Sequence, residues 1–86
     1  MSQPSLPPLT VNARAPFHVY YEGEAVRVSA ANSVGPFDIL TGHADFFSII
    51  SPCIATVETA TDVVSFDITN GIIAVHNNTV ALFVNI

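Results

Sequence analysis

The chain contains no lysine, and Arg14 and Arg27 are its only fixed positive charges. Seven acidic residues leave it at a net charge of −5. Affinity for nucleic acid comes largely from basic groups that neutralise phosphates, so DNA and RNA are excluded as partners. An anionic membrane surface is disfavoured for the same reason. Charged residues make up only 10% of the chain and hydrophobic ones 50%. That is too apolar for disorder and unusually poor in surface charge. Domains of this kind often need a partner to cover part of their surface, which is a first pointer to a subunit. Cysteine is nearly missing: Cys53 has no second thiol to pair with. Small secreted domains usually carry several bridges, so a reducing compartment is expected. No apolar run approaches the roughly 20 residues of a membrane helix. The first eight residues hold three prolines and no basic residue. They are not a signal peptide and read as an extended leader, residues 1–8, ahead of one domain over residues 9–86. A chain of 86 residues has no room for a second core and buries only roughly 60% of its unfolded surface.

What is present points to strands almost everywhere. Leu9-Thr10-Val11-Asn12-Ala13 and Ala25-Val26-Arg27-Val28-Ser29-Ala30 alternate apolar and polar residues, as half-buried strands do. Phe17-His18-Val19-Tyr20-Tyr21 is rich in aromatic and β-branched residues. Glu22-Gly23-Glu24 reads as a turn, and residues 32–36 read as a loop. Further runs occupy 37–40, 46–50, 54–58, 63–68, 72–75 and 79–84, with Ser51-Pro52 as a break and 59–62 as a hairpin loop. Asn70-Gly71 is the strongest turn signal, because both residues tolerate the positive φ of a type I′ hairpin; Asn77-Asn78 precedes the last run. No helix of useful length is expected. Short runs with turn signals about every ten residues predict an all-β antiparallel sandwich of about ten short strands.

The most specific stretch is Gly35-Pro36-Phe37-Asp38-Ile39-Leu40-Thr41-Gly42-His43-Ala44-Asp45-Phe46-Phe47, which reads as strand, tight loop, strand. It resembles the loop of the ATP synthase epsilon subunit (the delta subunit in mitochondria), whose usual pattern is G-E-F-G-I-L-P-G-H-A-P-L-L. The resemblance extends over about residues 9–84. Glu22-Gly23-Glu24 falls on that family's E-G turn, Ser51-Pro52-Cys53 on its K-P-G turn, and Asn70-Gly71-Ile72-Ile73-Ala74-Val75 on G-G-F-L-E-V. Asn78-Thr79-Val80-Ala81-Leu82-Phe83 resembles N-x-V-T-V-L. The resemblance implies a non-catalytic β-sandwich with one sheet face on the gamma subunit and loops on the membrane c-ring. That implies a role in coupling proton flow to ATP synthesis. The c-ring-facing residues it implies are Gly35, Pro36, Thr41, Gly42, His43, Ala44 and Asp45. No catalytic residue, metal or cofactor is implied. The location implied, for a bacterial source, is the cytoplasmic face of the cell membrane, peripheral and within the complex.

Three positions depart from the family pattern. Pro36 stands in place of the loop acid, Thr41 in place of the proline before G-H, and Asp45 in place of the proline after H-A. Charge is moved rather than removed. Family members commonly continue into two C-terminal helices that bind ATP or brake rotation; here the sequence stops at Ile86, after the last strand, and no helical hairpin is expected.

The same residues have plainer readings. His43 either holds its loop by bonding backbone or touches a partner, and the two are compatible. His18, His43 and His76 are candidates for a metal triad, but they lack a local spacing motif. Cys53 lacks an obvious activating neighbour and reads as a small filler in a turn. Asp38 and Asp45 read as solvated loop acids rather than an acid–base pair. Asn77-Asn78-Thr79 fits a glycosylation sequon, with nothing else pointing to secretion. The 46–50 run has apolar residues at both parities, so one sheet face cannot bury them all and one or two stand at a partner surface. The readings are therefore three: a structural stalk subunit, a stand-alone β-sandwich binding module that has lost the synthase role, and a small metal-dependent barrel enzyme.

Overall fold

The computed structural model describes residues 7–86; residues 1–6 of the leader lie outside that range. Nine strands form two packed sheets. They are β1 (Leu9–Ala15), β2 (His18–Ala25), β3 (Arg27–Asn32), β4 (Gly35–Leu40), β5 (Phe46–Ile50), β6 (Cys53–Glu58), β7 (Val63–Ile68), β8 (Gly71–His76) and β9 (Thr79–Val84). One sheet has the order β2-β1-β9-β8-β5 and the other β4-β3-β6-β7. All pairs are antiparallel except β1 with β9, which run parallel and bring the first and last strands side by side in the larger sheet.

Alternation along the strands builds the core. Leu9, Val11, Ala13, Ile73, Val75, Val80, Leu82 and Val84 point inward from the larger sheet, and Val28, Ile39, Ala55, Val57 and Ile68 meet them from the smaller one. No polar or charged residue among those described is buried. Spaced at period two, these residues give each sheet one dry face, which is the condition for two sheets to stack.

Three sequence expectations change. Glu22-Gly23-Glu24 is not a turn: β2 runs through it to Ala25, with Glu22 opposite Asn12 and Glu24 opposite Thr10. The turn sits earlier, at residues 16–17, and the ladder absorbs an extra residue as a bulge in β2 where Ala13 pairs Tyr21 but Arg14 pairs Val19. Gly23 adopts φ +150 within the strand, so its freedom serves an irregular edge rather than a reversal. Gly35 and Pro36 belong to β4, not to a loop, and pair with Asn32 and Ala31. Finally, Asn70-Gly71 is a crossing between sheets, because β7 and β8 lie in different ones. The type I′ geometry falls on Asn77 and Asn78, with φ 48 and 60.

Gly71 has a different task. A Cβ there would lie 2.6 Å from Val84 Cγ1 and 2.8 Å from the Phe83 carbonyl oxygen, so glycine lets the start of β8 press against β9. Just beyond β9, Asn85 takes a positive φ of 54 and ties the sheets together. Its Oδ1 accepts from the Thr69 backbone N–H (2.8 Å) and hydroxyl (3.0 Å). Its Nδ2 donates to the Asp67 carbonyl (2.9 Å) and to the Tyr20 hydroxyl (2.9 Å). Truncating it strands a backbone donor and acceptor together, so Asn85→Ala is expected to cost about 2 kcal/mol in urea unfolding at unchanged m value.

Candidate functional site: a tethered loop and an apolar sheet face

Two features offer themselves to a partner. The first is the loop at residues 41–45, which carries the chain from β4 in the smaller sheet to β5 in the larger. His43 N–H donates to the Leu40 carbonyl at 3.0 Å, and Gly42 has φ +83, the geometry of a type II turn with glycine where φ must be positive. Thr41 occupies the turn position where proline is favoured; its hydroxyl donates to the Pro7 carbonyl at 2.7 Å. Gly42 N–H donates to Asn78 Oδ1 (2.9 Å), and His76 Nδ1 donates to Asp45 Oδ2 (2.9 Å). Asn77 Nδ2 donates to the other ring nitrogen of His76 at 3.1 Å. The loop is therefore pinned to the β8–β9 hairpin. His43 bonds the Ala44 carbonyl through Nδ1 (2.7 Å), and its ring meets Phe46 edge-on at 5.6 Å. The backbone-holding reading of His43 is what the structure shows.

The sequence-predicted site residues split into two groups. Thr41, Gly42, His43, Ala44 and Asp45 come together at one end of the sandwich. Gly35 and Pro36 begin β4 and lie at its opposite end, five strand steps or roughly 17 Å away. Asp38 accepts from Ser29 Oγ at 2.5 Å on the outside of the smaller sheet, apart from Asp45. Cys53 opens β6, half-buried against the core, instead of sitting in a turn. Among the described residues no three His, Cys, Asp or Glu side chains converge as metal ligands would.

The second feature is the outward face of the larger sheet. Register places Ile49, Ile72 and Phe83 in one cross-strand row and Phe47, Ala74 and Ala81 in the next. Phe47 and Ile49 are 68% and 73% exposed. Both therefore stand on the outer side, as the two-parity reading of this run required. The rows continue across β9 to Arg14 and Asn12 on β1. There the apolar surface ends in a polar cluster: Arg14 donates to Asn12 (2.9 Å), and both reach Glu22 (3.4 and 3.2 Å). The smaller sheet's outer face is different in kind. Its rows run Asp38, Ser29, Thr56, Ser65 and Leu40, Arg27, Glu58, Val63. Alternation alone marked β5, but the assembly of six apolar side chains from β5, β8 and β9 needed the sheet order, which no local pattern carries.

The ends of the sandwich also differ. At the end holding the 41–45 loop stand Glu24, Asp45, Glu58 and Asp62, with Arg27 beside Glu58 at 3.8 Å. At the other, the turns at 16–17, 33–34, 51–52 and 69–70 contain no charged residue, and Phe17 and Val34 project with 102% and 95% exposure.

Residues 8–86 match the family described as ATP synthase, Delta/Epsilon chain, beta-sandwich domain. No curated protein matches the sequence. Among solved structures, the fold is similar to a chain in the cryo-EM structure of the Euglena gracilis mitochondrial ATP synthase, OSCP/F1/c-ring in rotational state 1, with TM-score 0.83 and 15% identity. That match covers 96% of this chain and 54% of the other. It is also similar to a chain in the Tetrahymena thermophila mitochondrial ATP synthase central stalk/c-ring structure, with TM-score 0.77 and 20% identity over 88% of this chain and 62% of the other. The chain thus spans less than two thirds of the length of either. With the family model matched over residues 8–86 and two packed β-sheets observed, the chain belongs to the ATP synthase delta/epsilon family, matching its β-sandwich domain.

Proposed function

We propose that this domain is a non-catalytic central-stalk subunit of a rotary F-type ATP synthase, seated on the gamma subunit through the outer face of its five-stranded sheet. The apolar rows on that face carry the reading: in a chain with so few charged residues, six neighbouring apolar side chains are surface that water disfavours and a subunit interface uses. The domain then works as a rigid spacer in the rotor, linking gamma to the c-ring so that ion flow and nucleotide chemistry stay coupled. It is peripheral to the membrane through the complex.

The motif's two ends divide the work. The polar groups of residues 41–45 are spent on bonds within the domain, to Pro7, Ala44, His76 and Asn78. The Gly35–Pro36 end, beside the projecting Val34, offers an apolar surface whose turns carry no charged residue. We assign the ring contact to that end, and to Thr41, Gly42, His43, Ala44 and Asp45 the task of holding the two sheets in register.

The test is to mix the domain with the gamma subunit of its own synthase and measure the complex. Phe47→Asp is expected to weaken binding at least about 30-fold, by burying a carboxylate in an apolar contact. Ser65→Asp, on the smaller sheet's outer face, is expected to leave binding unchanged. No complex at micromolar concentration with a folded domain overturns the assignment and favours a stand-alone binding module.

A further inference from the structure

We propose that β5 is an open docking edge, and that an extended, uncharged, apolar segment of the partner subunit adds to it as a sixth strand of the larger sheet. The inference rests on the stalk reading for the identity of the partner. It rests on the geometry of the edges for the mode of binding.

A two-sheet sandwich has four edge strands, here β2, β5, β4 and β7. An edge presents a row of unpaired N–H and C=O groups, and proteins usually blunt it. Three of the four are blunted. β2 carries the bulge at Tyr20, Gly23 at φ +150, and the acids Glu22 and Glu24. β4 has Pro36, which lacks a donor, and Asp38. β7 carries Asp67 and is capped at its C-terminal end by Asn85, whose side-chain amide donates to the Asp67 carbonyl and accepts from the Thr69 N–H. Those two groups are the pair that one residue of a parallel neighbouring strand would bond, so Asn85 stands where such a strand would pair.

β5 has none of these devices. Phe46-Phe47-Ser48-Ile49-Ile50 contains no charge, proline or glycine, and pairs on one side only, in unbroken antiparallel register with β8. Among the described residues Ser48 Oγ donates to the Ile49 carbonyl (3.1 Å) and accepts from Asn32 Nδ2 (3.1 Å), and just past the strand Ser51 N–H donates to the Ala31 carbonyl (2.9 Å), so β3 covers the C-terminal end of β5 and the open stretch is Phe46–Ile49. Both apolar rows of the outer face run out at this strand, at Phe47 and Ile49. On the opposite side the Phe47 row ends at Asn12 and Glu22, and the Ile49 row passes Arg14 to Val19 on β2. The face thus carries charged side chains along β1 and β2 and none along β5. A sixth strand would satisfy the ladder and extend the rows, and an uncharged β5 fits an uncharged occupant, since no carboxylate or cation is placed to select one.

Amide exchange distinguishes this from docking on the face alone. In the isotopically labelled domain, the β5 amides that do not bond β8 exchange quickly. On saturation with purified gamma subunit they are expected to slow at least about 100-fold, as groups moved from solvent into a ladder do. Backbone protons of β5 should also gain cross-strand contacts to the partner. A complex that forms with these amides still fast, or slowed without cross-strand contacts, overturns the edge and leaves the face reading standing. Slowing in the domain alone that grows with its concentration assigns the edge to a second copy and overturns the partner strand. Absence of any complex overturns both.

Discussion

Ile73→Ala is expected to cost the domain about 3–4 kcal/mol, a substantial share of the stability of a chain of this size. Ile73 is fully buried in the middle of β8, paired across the ladder with Leu82, which is 1% exposed. The two side chains stand at the centre of the five-stranded sheet's inner face, where no loop can move in to fill a void. Removing three carbons therefore costs both their transfer from water and the cavity they leave. An 86-residue domain has a total stability of roughly 4–13 kcal/mol. The variant should consequently melt at least about 12 °C below the parent and show a lower urea midpoint at unchanged slope. A loss under about 1 kcal/mol would mean that the sheets can close over the gap, contrary to close packing.

Gly71→Val should do comparable damage by the opposite route. The first added carbon already meets Val84 Cγ1 at 2.6 Å, the Phe83 carbonyl at 2.8 Å and Val84 Cα at 3.0 Å. Two of the three obstacles are backbone atoms of the adjacent strand, so no rotamer change relieves the clash. The strands must separate where β8 and β9 finish their ladder, next to the Asn85 tether. Overpacking of this kind costs about 1–3 kcal/mol for added methylenes in a core, and a branched side chain against main chain should reach the upper end or beyond. Gly71→Ala is expected to fall between parent and valine in thermal unfolding. Equal stability of all three would show that β8 can shift freely against β9.

Much of this fold was legible in the sequence because strand residues announce themselves locally. The alternating and aromatic runs fall on the observed strands within a few residues, and 35–47 does read as strand, loop, strand. What was illegible is non-local. Asn70-Gly71 has the composition of a hairpin turn, but the flanking strands belong to different sheets, and the residue that decides this, Val84, lies thirteen positions on. Glu22-Gly23-Glu24 looks like a turn, but β1 was already positioned to pair with it, and tertiary pairing overrode the local signal. Asn85 gave no sign of its importance, since one asparagine after a strand is an ordinary residue until its four side-chain bonds are seen. The candidate site was half legible: the bonded loop was found from its glycine and histidine, while the separation of Gly35 and Pro36 from it follows from a strand whose start was read as loop.

The parallel pairing of β1 with β9 has a consequence for how the protein comes into being. β9 sits between β1 and β8, so the larger sheet cannot close until residues 79–84 have left the ribosome. The strands made first wait, with their dry sides uncovered, for the strand made last. Joining them closes a loop of roughly seventy residues, whose entropy is lost before any contact repays it. Such sequence-distant pairing places folding in the slow regime of milliseconds to seconds. During that interval β5, uncharged and unblunted, is the segment most exposed to pairing with the wrong chain. The segment at greatest risk during folding is thus the one that the finished sheet leaves at its edge.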